Sequence, residues 1–272
     1  MSDPIIDFGT TRDGLTQLRR RWEADTTARG AVLIVHGMSE HSGRYDHVAR
    51  RLNADAFHVV AFDHRGHGRS SGARTHVERF GEYVDDVADH LAAVVGLGLP
   101  TAVIGHSLGG LITLCHAVSD RPQPGAYVLS GPALGHGRPV WETAITPLAD
   151  LVAPRLFLPT AFDASMLSHD PEVVRAYEQD PLIRSGATPR FGAEVLAAMD
   201  EVRSRLDHLR RPLLVLHGAD DEIVPAASTR VLEQSPFVDR LELPGMRHEI
   251  FNEVGGAAVL DRVVSFLELE LF

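Results

Sequence analysis

The residues most suited to chemistry are Gly105-His106-Ser107-Leu108-Gly109, which follow an apolar run at 101–104 and precede an apolar-periodic stretch at 108–118. At a sharp strand-to-helix turn a serine takes a strained backbone conformation with its Oγ projecting, and flanking glycines remove the Cβ atoms that would collide there. The helix start behind it supplies unpaired N–H groups, the Leu108 amide among them, which suit a developing oxyanion. Taken alone, the pentad also fits, less well, a serine capping a helix in a Gly-rich turn. A serine hydroxyl is a weak nucleophile near neutrality, so the chemistry requires a base and a carboxylate to orient it. The apolar run 213–216 ends at His217-Gly218-Ala219-Asp220-Asp221, which puts a carboxylate at a strand end. Either Asp220 or Asp221 serves as the orienting acid, the other bracing the turn. Farther on, Pro244-Gly245-Met246-Arg247-His248 places a histidine in the loop before the last helical segment. With fifteen histidines in the chain, it is the joint order of serine, acid and histidine that singles out His248. A second oxyanion donor is expected from the Met38 amide in Val35-His36-Gly37-Met38, where a tight turn without a catalytic amide is the competing reading.

These residues need a frame that brings distant loops to one edge. Extended stretches at 5–10 and 17–23 flank Arg12-Asp13-Gly14, a hairpin signal. Apolar runs at 31–35, 59–62, 101–104, 126–129 and 213–216 read as buried parallel strands. Helical patterns at 45–54, 80–95, 108–118 and 256–269 alternate with them, which implies an α/β chain with a mostly parallel, right-handed, doubly wound sheet. The rhythm breaks between 131 and 207, where Pro139, Pro147, Pro154, Pro159, Pro171, Pro181 and Pro189 punctuate amphipathic pieces. That length exceeds a plain loop, so it reads as a helical cap over the strand ends. The expected organisation is one domain over 1–272, with a core of 1–130 and 208–272 and a cap insertion at about 131–207.

Composition sets the remaining bounds. A chain of 272 residues, 44% hydrophobic and 23% charged, buries an ordinary globular core. Net charge −11 argues against a nucleic-acid partner, which needs a concentrated basic surface. Arg19-Arg20-Arg21 is the one basic cluster and reads as a solvated strand face, with contact to an anionic lipid surface as its alternative. Cys115 reads as a small buried residue. The start Met1-Ser2-Asp3-Pro4 lacks the features of a signal peptide and no apolar run is long enough to span a membrane, so a cytoplasmic protein is expected, with peripheral membrane contact left open. Asp63-His64-Arg65-Gly66-His67-Gly68-Arg69-Ser70 concentrates charge but reads as a structural turn, since no zinc-like ligand spacing accompanies His64 and His67.

The chain resembles the monoacylglycerol lipase and lysophospholipase group of α/β-hydrolases, and does so nearly end to end. The motifs that carry this are Gly105 to Gly110, His36-Gly37-Met38-Ser39-Glu40-His41-Ser42-Gly43-Arg44-Tyr45, the Asp63 to Ser70 string, Ser168-His169-Asp170-Pro171, Asp180-Pro181-Leu182, Val224-Pro225 and Gly245 to Glu253. The resemblance implies the α/β-hydrolase fold with a helical lid, a triad of Ser107, Asp221 and His248, and oxyanion amides on Met38 and Leu108. Glu40 and Arg44 are then expected near the alcohol side of the substrate, a surface ion pair being the alternative. Trp141, Ile145 and Leu148, at helical spacing with Val152, are expected to line an acyl tunnel or to pack the cap onto the core. The implied activity is hydrolysis of monoacylglycerols, with no metal or organic cofactor and a lipid ester as the small-molecule partner. Transient contact of the cap with a membrane or micelle is the further partner expectation. Lysophospholipase or general carboxylesterase action, acyl transfer through the same triad, and a non-catalytic ligand-binding role are the alternatives.

Overall fold

In the computed structural model residues 3–137 and 140–272 are described, the side chains of 140–145 excepted. The chain opens with β1 (Ile5–Thr10) and β2 (Thr16–Trp22), paired antiparallel through a turn in which Gly14 takes φ +86°. There follow β3 (Gly30–Val35), α1 (Asp46–Ala54), β4 (Phe57–Phe62), α2 (Gly81–Val95), β5 (Thr101–His106), α3 (Leu108–Ala117) and β6 (Ala126–Ser130). The chain then leaves the sheet for α4 (Val140–Val152), β7 (Leu158–Pro159), α5 (Pro171–Gln179), β8 (Gly186–Ala187) and α6 (Pro189–Ser204). It returns as β9 (Leu213–Gly218) and β10 (Val238–Leu243) and closes with α7 (Gly256–Leu271).

The sheet runs β1-β2-β4-β3-β5-β6-β9-β10, antiparallel at β1 and β2 and parallel from β4 onward. Strand β3 is wholly buried on both faces, which is why it reads as an unbroken apolar run. Its residues alternate sides. Leu33 and Val35 belong to one apolar cluster with Tyr83 and Val87 of α2 and Leu111 of α3, while Val32 and Ile34 belong to a second with Val48 of α1 and Val263 of α7. From β3 the chain winds outward to β4, then crosses back to β5 on the opposite side. Loops after β3 and β5 therefore diverge and leave a crevice at the strand carboxyl ends, the position where open α/β sheets place ligands.

Over this crevice lie the elements between β6 and β9. Asp170 and Thr188 cap α5 and α6 by accepting from the Glu172 and Phe191 amides at 2.8 and 3.2 Å, each followed by proline at the first helical position. Pro147 lies inside α4. Two details differ from the sequence expectation. The covering region is not all helical, since β7 and β8 form a two-stranded sheet. The edge strand β10 was hidden because its half-exposed Val-Asp-Arg-Leu-Glu-Leu lacks an apolar run. Arg19 and Arg21 both face Asp7 of the neighbouring strand, and Arg20 donates to Ser42 Oγ at 3.1 Å.

Candidate functional site

Ser107 joins β5 to α3 with φ +50° and ψ −116°, a conformation non-glycine residues rarely hold. It persists because its backbone is over-determined: the Ser107 amide donates to the Ser130 carbonyl at 3.0 Å, and its carbonyl accepts from Leu111 and Ala133 at 3.1 and 2.9 Å. The two glycines permit the close approach. A Cβ at Gly105 would meet Thr113 Oγ1 at 2.5 Å, and one at Gly109 would collide with the carbonyls of Val35 and His36. Helix α3 is buried along its whole length, so the turn sits on a rigid base.

His248 Nε2 lies 2.8 Å from Ser107 Oγ, and His248 Nδ1 lies 2.7 Å from Asp221 Oδ2. Asp221, rather than Asp220, faces the ring. Its Oδ1 accepts from the Ile223 and Val224 amides, both at 2.9 Å, and its Oδ2 also receives His217 Nε2 at 3.1 Å. The His217 Nε2–H donates as well to the Val224 carbonyl at 2.7 Å, which fixes where that proton resides. Burial alone would raise the Asp221 carboxyl, but the His248 charge and the bonds from His217, His248 and the Val224 amide hold it well below the usual carboxylate range. Burial likewise disfavours imidazolium at His248. The Asp221 charge and hydrogen bond, joined by Glu249 and Glu40, overcome that and raise His248 above its ordinary value. His106 lies beside it, ring centroids 4.8 Å apart, and burial followed by the His248 charge pushes it down to about 3. The arrangement is a hydroxyl, an imidazole able to take its proton, and an ionised carboxylate that fixes the imidazole tautomer.

Met38 follows β3 and Leu108 opens α3, and among the described residues neither amide has a protein acceptor. Both residues line the same cavity as Ser107 and His248. The Met38 loop is braced by a buried cluster. Glu40 accepts from the Gly37 amide, from Tyr45 Oη at 2.7 Å and from Arg44 at 3.1 Å. Arg44 forks onto Glu249 at 2.5 and 2.8 Å and stacks over the Tyr177 ring, 5.0 Å from its centroid. The surface ion pair considered for Glu40 and Arg44 is thus corrected: both sides of the cluster are buried, because Glu249, 205 positions away in sequence, closes it. Burial and the Glu249 charge raise Glu40, whereas at Glu249 the Arg44 fork outweighs burial and lowers it.

The cavity above Ser107 has a volume of about 220 Å³. Its apolar wall comes from Phe162, Leu167, Phe191, Val195, Ile223 and Val224, with Tyr177, Glu40 and Glu249 at its polar side. The expected wall residues fare differently. The side chains of Trp141 and Ile145 lie outside the described residues. Leu148 is 65% exposed and does not line the cavity, since α4 turns that face outward. Phe191 and Val195, four apart on α6, are the helical-spacing signal that sequence reasoning passed over. His217 and Glu249 were also missed, although Glu249 adjoins His248 and His217 lies four positions before Asp221. Arg44 does not reach the cavity wall.

The Asp63 to Ser70 turn holds the neighbouring loop. Asp63 accepts from the Ser42 amide at 2.9 Å, from Ser42 Oγ at 2.5 Å and from the Arg69 amide at 2.9 Å. Arg65 is buried against Asp86. Among the described residues no group of His, Cys, Asp and Glu is arranged to hold a metal ion, and no helix is long and apolar enough to cross a membrane.

The profile of the family described as serine aminopeptidase, S33, matches residues 26–255. The chain is 38% identical over 258 residues to the monoacylglycerol lipase of Mycolicibacterium smegmatis, covering 90% of each. It is 33% identical over 263 residues to the monoglyceride lipase of Homo sapiens, covering 89% of this chain and 86% of that one. The crystal structure of Paleococcus ferrophilus monoacylglycerol lipase matches with a TM-score of 0.84 at 31% identity, covering 93% of this chain and 98% of that one.

Proposed function

The chain belongs to the monoacylglycerol lipase group of the serine aminopeptidase S33 family of α/β-hydrolases, and on that premise we propose that it cleaves monoacylglycerols through Ser107. In this reading His248 Nε2 takes the Ser107 proton as Oγ attacks the ester carbonyl, and the Met38 and Leu108 amides receive the oxyanion. Asp221 keeps His248 in the receptive tautomer and stabilises the imidazolium. Collapse breaks the ester C–O bond and His248 passes its proton to the departing glycerol oxygen. Water, deprotonated by the same ring, then attacks the acyl-enzyme, releasing the fatty acid and restoring Ser107. The observation that supports this most is the 2.8 Å contact between His248 Nε2 and Ser107 Oγ at the floor of a largely apolar cavity.

The organisation that goes with it is one catalytic domain in which residues 131–207 form the cap. The outer face of that cap exposes Leu148, Leu151, Val152, Leu156 and Leu158, Leu151 to 81%, and this patch suits transient contact with a lipid surface from which the substrate arrives. The test is a panel of initial rates on monoacylglycerols of graded chain length beside diacylglycerol, triacylglycerol, lysophospholipid and an aminoacyl anilide, with Ser107→Ala as blank. Preference for monoacylglycerols is expected. Turnover of short activated esters alone would remove the lipid assignment and leave the nucleophile.

A further inference from the structure

The loop bearing the Met38 amide is held from two sides. On the core side, Glu40 ties it to Gly37, Tyr45 and Arg44. On the other, two side chains of the loop reach the cap: Ser39 Oγ donates to the Arg184 carbonyl at 3.1 Å, and His41 Nε2 donates to Asp180 Oδ2 at 2.8 Å. Both contacts are directional. His41 Nδ1 accepts from the Gly43 amide at 3.1 Å, which leaves the proton on Nε2, aimed at Asp180. Asp180 is oriented in turn by accepting from the Leu182 amide at 2.8 Å on its other oxygen. Ser39, the residue directly after Met38, holds φ +56°, a left-handed conformation that persists only where the surroundings enforce it.

We propose that the cap segment around Asp180 and Arg184 positions the oxyanion loop, so that Asp180, His41 and Ser39 are positioning residues for the Met38 amide and not merely parts of a lid that shapes the acyl tunnel. The inference rests on the serine-hydrolase reading above. Its consequence is that an ester too small to fill the cavity still depends on the cap. A separate anchor keeps the cap attached when this tie is lost: Arg247 Nη1 donates to the Ser165 carbonyl at 2.6 Å, and Glu253 accepts from Ser168 Oγ and the His169 amide at 3.1 and 3.0 Å.

The experiment measures kcat and KM of the full chain on p-nitrophenyl acetate for the wild type, Asp180→Ala, Asp180→Asn and Ser39→Ala, each normalised by fluorophosphonate titration. Inhibition by a short alkyl trifluoromethyl ketone, whose hemiketal oxygen occupies the oxyanion position, is read in parallel. Asp180→Ala should lower kcat roughly tenfold with KM within about twofold, the pattern of a lost transition-state contact. It should weaken the ketone by the same factor, and Asp180→Asn should do no better, because the Leu182 amide takes its one oxygen and its NH2 then meets the His41 Nε2–H. An unchanged acetate kcat with KM raised only for long acyl chains overturns the inference and leaves an ordinary lid. Should Asp180→Ala fail to fold, Ser39→Ala carries the same test on its own. A wild type that fluorophosphonate does not titrate removes the nucleophile reading, and the inference with it.

Discussion

Replacing Asp221 by asparagine alters one atom at the centre of the site, and the structure fixes which way the new amide must turn. The Oδ1 position accepts from the Ile223 and Val224 amides, so the asparagine oxygen is confined there. Its NH2 then faces His248 Nδ1 and His217 Nε2. The His217 proton is already committed to the Val224 carbonyl, so that ring cannot adapt. His248 can satisfy the amide only by baring Nδ1 and carrying its proton on Nε2, which makes it unable to accept the Ser107 proton. Such a tautomer error lowers kcat by about 10⁴ in a Ser-His-Asp system. At about 1.36 kcal/mol per tenfold, this corresponds to roughly 5 kcal/mol of lost transition-state stabilisation. The assay is steady-state hydrolysis of a soluble p-nitrophenyl ester, beside the rate of fluorophosphonate labelling, for Asp221→Asn with a circular-dichroism check of folding. Activity within tenfold of the wild type would refute the tautomer reasoning.

Further perturbations test other parts of the site. At His248 burial opposes the charged ring, but Asp221, Glu249 and Glu40 raise it, and the neutral ring is the base. It follows that kcat/KM should fall as pH drops through a value above the ordinary imidazole figure of about 6.5, and an acid limb well below that contradicts the electrostatics. Gly109→Ala drives a methyl into the Val35 and His36 carbonyls and should cost more than about 2 kcal/mol in urea unfolding, whereas a near-neutral result would mean the turn can relax. Val195→Trp should fill much of the cavity of about 220 Å³ and shift the preferred acyl chain to shorter lengths, and an unchanged optimum would place the acyl chain elsewhere.

What the sequence discloses depends on how local each signal is. Ser107 is legible because its strain, glycines and flanking elements lie within a few residues, and the parallel strands are legible because burial on both faces leaves unbroken apolar runs. Asp221 and His248 follow from strand-end position and chain order, although only the backbone amides of Ile223 and Val224 show why Asp221 rather than Asp220 faces the ring. The Glu40–Arg44–Glu249 cluster is not legible, since its third member is brought in by the fold. Leu148 was misplaced for a related reason. Apolar spacing on α4 shows that a face is apolar, not whether it turns inward, and the exposed Leu148 and the wall-forming Phe191 and Val195 carry similar helical signals.

The most direct test of the central claim is rapid-quench mass spectrometry of the wild-type chain mixed with a long-chain monoacylglycerol. A transient adduct of the acyl mass is expected on the peptide containing Ser107, absent from Ser107→Ala, decaying as free fatty acid appears. Fatty-acid release with no adduct on that peptide, or an adduct on another residue, would contradict it.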